Sequence, residues 1–318
     1  MKLLKKGRRA LIYTLTLNPA LDRTLVVKKL VEEDTVRIIL ETKYAGGKGI
    51  DVSRVIHELK GQSIALGLVG GYAGLELEGR LINDGVMIDF VHLAEETRTN
   101  IILKEEETGK QYVISASGPN VKPHEIGELY RRFQALTDVT YMIMSGSLPK
   151  GVSRDIYGQL ILTFKDKRPF IVLDADGDTL KRSLAFKPTM IKPNVFELSR
   201  LVEKEINSED EIVKSATELN EQGIEIVLVS RGKDGLLLST HDTKLKAVGP
   251  EVEVKSAVGA GDSVVAGFVL AHSQGKSLEE CLRLGCACGT ATVTTPGTEL
   301  CHYDTVMEIL PKVEITEL

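Results

Sequence analysis

Residues 139–174 read VTYMIMSGSLPKGVSRDIYGQLILTFKDKRPFIVLD. Val139 to Met144 is a short apolar run with the length of a strand. Ile156 to Phe164 carries a helical run, and Phe170 to Asp174 is a strand again. Strand, helix and strand in that order, with strands apolar on both faces, is the unit of a parallel sheet covered on both sides.

The same rhythm extends outward from this unit. Upstream, Leu11 to Leu17 and Ile64 to Val69 read as strands. The stripe Ile50, Val52, Val55, Ile56, Leu59 reads as a helix, as do the sets Leu75, Leu77, Leu81, Ile82 and Ile126, Leu129, Tyr130, Phe133. Downstream come a helix at Ile212 to Leu219, a strand at Ile224 to Val229, and apolar helices at Val264 to His272 and Leu278 to Val293. Two stretches break the alternation. Residues 23–43 and 100–115 are β-rich without a helix, the second turning at Thr108 and Gly109. They are expected to pair into a small second sheet. With no Pro/Ser-rich linker and no repeat, residues 1–318 read as a single α/β domain.

Composition narrows the function. Forty basic and 45 acidic residues give a net charge of −5, and an acidic protein is a poor partner for nucleic acid. No run approaches the ~18 apolar residues of a membrane span. Lys2, Lys5, Lys6, Arg8 and Arg9 precede Ala10 to Leu17, but Tyr13, Thr14 and Thr16 make that stretch a strand with a basic overhang rather than a signal peptide. Cys281, Cys286, Cys288 and Cys301 show no paired CxxC spacing, so buried thiols in a reducing cytoplasm are expected.

The sharpest chemical signal is Ala257-Val258-Gly259-Ala260-Gly261-Asp262, directly before an apolar helix. Small residues at a helix start aim free N–H groups at one point, which suits a phosphoryl group in transfer. Asp262 in the first turn could accept a proton from an attacking hydroxyl; a plain glycine turn with an Asp cap has the same letters. A second glycine loop, Ala45-Gly46-Gly47-Lys48-Gly49, also opens a helix. It lacks the spacing of both a Walker A loop and the dinucleotide motif GxGxxG. Asp22, in NPALD, is placed at the end of the first strand, where a parallel sheet opens its ligand crevice. Arg98, in ETRTN, could hold a phosphate.

The ordered set TLTLNPALD, AGGKGIDVSRV, ETRTN, SGSLPKGV, IKPNVFEL, VSRGKDG and AVGAGDS resembles the ribokinase-like phosphofructokinase-B carbohydrate kinases from about Ile12 to Leu310. Within them the chain is similar to the 6-phosphofructokinase (minor type), 1-phosphofructokinase and tagatose-6-phosphate kinase group. The resemblance implies a three-layer sandwich with a mostly parallel central sheet and a β-sheet lid. It implies ATP-dependent phosphorylation of a ketohexose monophosphate, with fructose 6-phosphate first and the other two acceptors as alternatives. A non-catalytic sugar-phosphate sensor is the remote alternative.

The same resemblance assigns roles. Asp262 would be the base, with Gly259, Ala260 and Gly261 as the anion hole. Asp22, Gly46, Gly47, Lys48, Asp51, Arg98 and Ser147 would bind the phosphosugar, and Arg37 would reach a neighbour's substrate. Lys192, Asn194, Ser230, Gly232 and Gly235 would face the nucleotide. Glu197 would organise Mg2+ through water, and Ser256, Val258 and Gly297 would hold K+ through carbonyls. A homodimer through the lid is implied as well. Asp51 departs from the pattern, since many relatives carry Asn there; an ionised Asp accepts but cannot donate. Subtype markers diverge too: Lys48 is similar to the 1-phosphofructokinase and tagatose-6-phosphate kinase pattern, whereas Gln111-Tyr112 and PGTELC at 296–301 are similar to the minor 6-phosphofructokinase.

Overall fold

The computed structural model describes residues 10–164 and 166–318, so the basic overhang at Lys2 to Arg9 lies outside the described residues. The strands are β1 (Ile12–Thr16), β2 (Ala20–Val27), β3 (Ile38–Gly46), β4 (Ile64–Gly70), β5 (Met87–Leu93), β6 (Arg98–Glu105) and β7 (Gln111–Ile114). They continue with β8 (Tyr141–Ser145), β9 (Phe170–Asp174), β10 (Met190–Ile191), β11 (Ile226–Ser230), β12 (Leu236–Ser239), β13 (Lys244–Val248) and β14 (Glu314–Glu317). The helices are α1 (Lys48–Glu58), α2 (Gly71–Asn83), α3 (Pro123–Ala135), α4 (Ile156–Leu162) and α5 (Gly177–Ser183). After them come α6 (Val195–Val202), α7 (Glu209–Glu221), α8 (Ala260–Ser273), α9 (Leu278–Thr292) and α10 (Tyr303–Ile309).

A ten-stranded sheet runs β14-β13-β12-β11-β10-β9-β8-β1-β4-β5. It is parallel from β11 to β5 and antiparallel from β11 to β14. Both faces of the central strands are buried, and the pleat sorts the side chains with period two. On β8, Tyr141 and Ile143 pack with Val52 and Val55 of α1 and Phe268 of α8. Met142 and Met144, pointing the other way, join Phe133 of α3, Leu160 of α4 and Leu219 of α7. The result is three layers, as expected. Among the described residues no helix is long and apolar enough to cross a membrane.

The second sheet runs β3-β2-β6-β7, with β2 and β6 parallel and the outer pairs antiparallel. Its segments, 20–46 and 98–114, lie close to the expected 23–43 and 100–115. By register, Asp22, Thr24 and Val26 share a face with Tyr44, Thr42 and Leu40 and with Asn100 and Ile102. One face therefore carries the polar site end and an apolar outer end. Val27 is buried, and the register shifts between Val26 and Val27.

Two differences have physical causes. Asp22 does not close β1, which ends at Thr16; it lies in β2, so the small sheet presents it. Strands β5, β10 and β12 to β14 escape the alternation pattern. β5 is a half-exposed edge carrying Asp89 and His92, β10 has two residues, and the antiparallel edge needs no crossover helices.

Candidate active site

Carboxyl ends of parallel strands converge on one cleft. β8 leads to Ser147, β9 ends on Asp174, β10 leads to Lys192, and β11 ends on Ser230. Helix α1 starts beside them with Lys48, after Gly47 at φ 122°, a conformation that glycine adopts without strain. A cavity of about 670 Å³, bordered by Lys48, Ser147, Lys150, Arg154 and Glu197, opens over β8 and β9. It stops short of Asp262, which is buried below it.

Asp174 organises the cations, a role the motifs did not reveal. Its side chain is 1% exposed; Oδ1 accepts a bond from Lys48 Nζ at 3.1 Å and Oδ2 faces Lys192 Nζ at 3.6 Å. Burial works to raise this carboxyl, but Lys192 and Lys48 together hold it below the ordinary aspartate range. Burial likewise opposes charge on Lys48, yet Asp174, Asp262 and Glu197 raise its affinity for a proton.

Helix α8 opens on Gly259, left-handed at φ 77°, where any Cβ would meet Leu300 at 2.5 Å. Ser263 N is bonded to Gly259 O at 2.9 Å, so the amides of Gly261 and Asp262 stand at the helix's open end. A Cβ on Gly261 would touch Lys192 Nζ at 3.1 Å, which puts that ammonium over the turn. The hole for an anion is thus made of amides, a helix end and a lysine. Asp262 beside it is pushed up to about 7, first by burial and then by the charge of Asp174, against the pull of Lys48 and Lys192. A carboxylate tuned near neutrality is suited to take a proton and release it.

A second cluster faces this one from the small sheet and α1. Asp22 accepts Asn100 Nδ2 at 2.8 Å and is raised chiefly by burial, with Arg98 and Arg54 opposing. Arg98 donates to the carbonyls of Ala116 at 3.0 Å and Asn18 at 2.9 Å, and its buried Nε has no partner. Asn18 also donates to Ser147 Oγ at 3.3 Å. Asp51 has Arg54 Nη1 at 3.4 Å. Gly46 packs directly against the Asp22 carboxylate, leaving no room for a side chain. Arg54 and Asn18 were not foreseen; Arg54, three residues beyond Asp51 on a helix, was legible as its neighbour.

On the other side, Asn194 caps α6. Its Oδ1 accepts Glu197 N at 2.8 Å, while Glu197 Oε2 accepts Asn194 N at 2.8 Å. This leaves Asn194 Nδ2 and Glu197 Oε1 for a ligand. Asn194 also bridges to Ser230. Gly232 at φ 61° and Gly235 at φ 81° shape the loop after β11. Ser256 Oγ donates to Gly297 O at 2.6 Å and lies near Val258 N, so those three expected residues meet. Arg37 stays apart: it is exposed in the loop before β3, with no ion pair among the described residues.

A crevice of this kind, with an anion hole at a helix start, a near-neutral carboxylate beside it and lysines around both, defines a phosphotransferase acting on a hydroxyl. The chain belongs to the pfkB family carbohydrate kinases, whose profile matches residues 15–305. It is 36% identical over 308 residues to the 1-phosphofructokinase of Bacillus subtilis, covering 97% of this chain and 100% of that protein. To the ATP-dependent 6-phosphofructokinase isozyme 2 of Escherichia coli it is 33% identical, over 94% of this chain and 97% of the relative. The crystal structure of Escherichia coli phosphofructokinase-2 in complex with potassium superposes with a TM-score of 0.90 at 33% identity, covering 95% of this chain and 98% of that one.

Proposed function

We propose that this kinase transfers the γ-phosphoryl of ATP to a ketohexose monophosphate, giving a bisphosphate, with fructose 6-phosphate as first acceptor. The observation that carries the reading is the pairing of the Asp262 and Gly259–Gly261 turn with a cation-rich acceptor side, Lys48 and Arg98. In this reading Asp22, Gly46, Gly47, Asp51 and Ser147 hold the sugar, and Asp262 takes the proton of the attacking hydroxyl. Amides of the turn and Lys192 receive the charge of the phosphoryl group. The run PGTELC supports the 6-phosphate through its similarity to the minor 6-phosphofructokinase pattern; its Gly297 accepts a bond from Ser256 Oγ and its Leu300 packs at Gly259. Lys48, inside the cleft, favours fructose 1-phosphate as the second reading, in keeping with the name of the Bacillus relative; tagatose 6-phosphate follows.

Glu197, whose Oε1 is left over from the α6 cap, fits a magnesium ion held through water and by the nucleotide phosphates. Bound there, the ion would neutralise phosphate charge. Lys192, Asn194 and Ser230 would meet the nucleotide, with Gly232 and Gly235 shaping its loop. Potassium fits the carbonyls of Ser256, Val258 and Gly297, because a carbonyl that accepts one bond keeps a second lone pair. Four free, buried cysteines suit a reducing, cytoplasmic setting.

The test is ADP release with ATP and a panel of fructose 6-phosphate, fructose 1-phosphate, tagatose 6-phosphate and free fructose. At least one phosphosugar is expected to exceed fructose in kcat/KM by at least about 10²-fold, since an acceptor without the phosphate forfeits charge-assisted hydrogen bonds worth about 1.5–3 kcal/mol each. Comparable values for fructose and its phosphates would remove Arg98 and Lys48 from phosphate recognition.

The small sheet is proposed to act as a lid and as the seam of a homodimer. Ile38, Leu40 and Val113 are exposed at 51%, 55% and 61%, an apolar surface that one sheet of four strands cannot cover alone. Arg37 beside it would then reach the neighbour's phosphosugar. Leu40→Glu is expected to give monomers with a raised acceptor KM; sedimentation showing an unchanged dimer would exclude this seam.

A further inference from the structure

Asp51 occupies the first turn of α1 with its side chain only 14% exposed. Charged groups face it from three elements: Arg54 on its own helix, Asp22 from β2 and Asp262 from α8. Two of the three are acids. The cation is spread thin, since Arg54 also donates to Ala45 O at 3.2 Å, lies 3.7 Å from Asp84 and stacks over Tyr44 at 5.3 Å. Its contact with Asp51 is long, at 3.4 Å. Lys48, the other nearby cation, is engaged by Asp174. An ionised Asp51 would thus be a poorly compensated charge in a confined space, next to an acceptor that brings its own phosphate.

We infer that Asp51 meets the acceptor as an uncharged carboxylic acid, donating its O–H to an acceptor hydroxyl and selecting the ligand in that form. This rests on the reading of the cleft as the site of a ketohexose phosphate. Burial, with Asp262 and Asp22 adding to it against Arg54, raises this carboxyl well above the usual aspartate range. A protonated Asp has the donor that an amide would have at that place, so an acid here keeps the pocket functional and makes it sensitive to pH. The two carboxyls then titrate with opposite consequences. Asp262 must lose its proton for catalysis, whereas Asp51 must keep its proton for binding. Acceptor affinity is strongest on the acid side and falls as pH rises through the ionisation of Asp51.

The experiment measures acceptor KM and kcat separately between pH 6 and 9, for wild type, Asp51→Asn and Asp51→Leu. Wild-type KM is expected to rise at least about tenfold toward the alkaline end, the scale of a hydrogen bond lost to a repelled charge. Asp51→Asn, with a permanent donor of the same shape, is expected to flatten that rise to less than about twofold. Asp51→Leu should give a high KM at every pH. The same alkaline rise in Asp51→Asn as in wild type would overturn the inference. Carbon NMR of 13C-aspartate-labelled protein, with Asp51→Asn identifying the signal, reads the proton directly. Titration of Asp51 in the ordinary aspartate range would also overturn it. If no ketohexose phosphate is turned over, the proposed function fails, and the NMR titration still judges the state of Asp51.

Discussion

Asp262→Asn is expected to lower kcat by at least about 10²-fold while leaving acceptor KM within a few-fold of wild type. The substitution keeps the volume and the position at the start of α8 but removes the proton acceptor. A positioned base contributes about 10²–10⁴-fold, and its loss is felt in the transition state more than in binding. The pH profile supplies an independent check. The folded carboxyl, raised to about 7 by burial and by Asp174, is ineffective when protonated, so wild-type kcat should climb through about pH 7 and level above it. In Asp262→Asn that limb should vanish. Stopped-time ADP release at saturating substrates would settle it: a variant with near-normal kcat, or one that keeps the same acid limb, takes the base role away from Asp262.

Legibility in the sequence followed the physics of each element. The parallel strands β1, β4, β8, β9 and β11 were readable because both their faces are buried, which leaves unbroken apolar runs such as Met142 to Met144. The edge strands β5, β13 and β14 were not, since a half-wet edge mixes Asp89, Lys244 or Glu314 into the pattern. Within the site, glycines announced themselves: Gly47 and Gly259 have positive φ, and their neighbours are small for the same reason. Asp174 gave no such signal. It is simply the last residue of a strand, and only the sheet's parallel sense turns that end toward Lys48 and Lys192. Asp22 was read as closing the first strand but lies in β2, because Pro19 hides the start of β2 directly after β1.

Asp174→Asn carries the other large expected effect, and it acts on stability and pH together. The wild-type carboxylate is the shared counter-charge of two ammonium groups, and Lys192 is itself 5% exposed. Removing one partner of a buried pair leaves a charge that water cannot reach, at a cost of about 3–5 kcal/mol. For a chain of this size that corresponds to a fall in Tm of roughly 5–8 °C. Lys48 adds little to the loss, because its side chain is 38% exposed and partly screened. The second consequence concerns the base. Asp174 helps to raise Asp262, while Lys48 and Lys192 lower it. With the acid at 174 neutralised, both lysines are released toward Asp262 and its proton is lost more easily. The acid limb of the kcat profile should therefore move to lower pH, even as kcat itself falls by at least about 10²-fold through misplacement of Lys192 over the Gly261 turn. Calorimetry and a pH series on one preparation test both halves. A variant with unchanged Tm and an unshifted limb would show that Lys48 and Lys192 are held in the cleft by something other than Asp174.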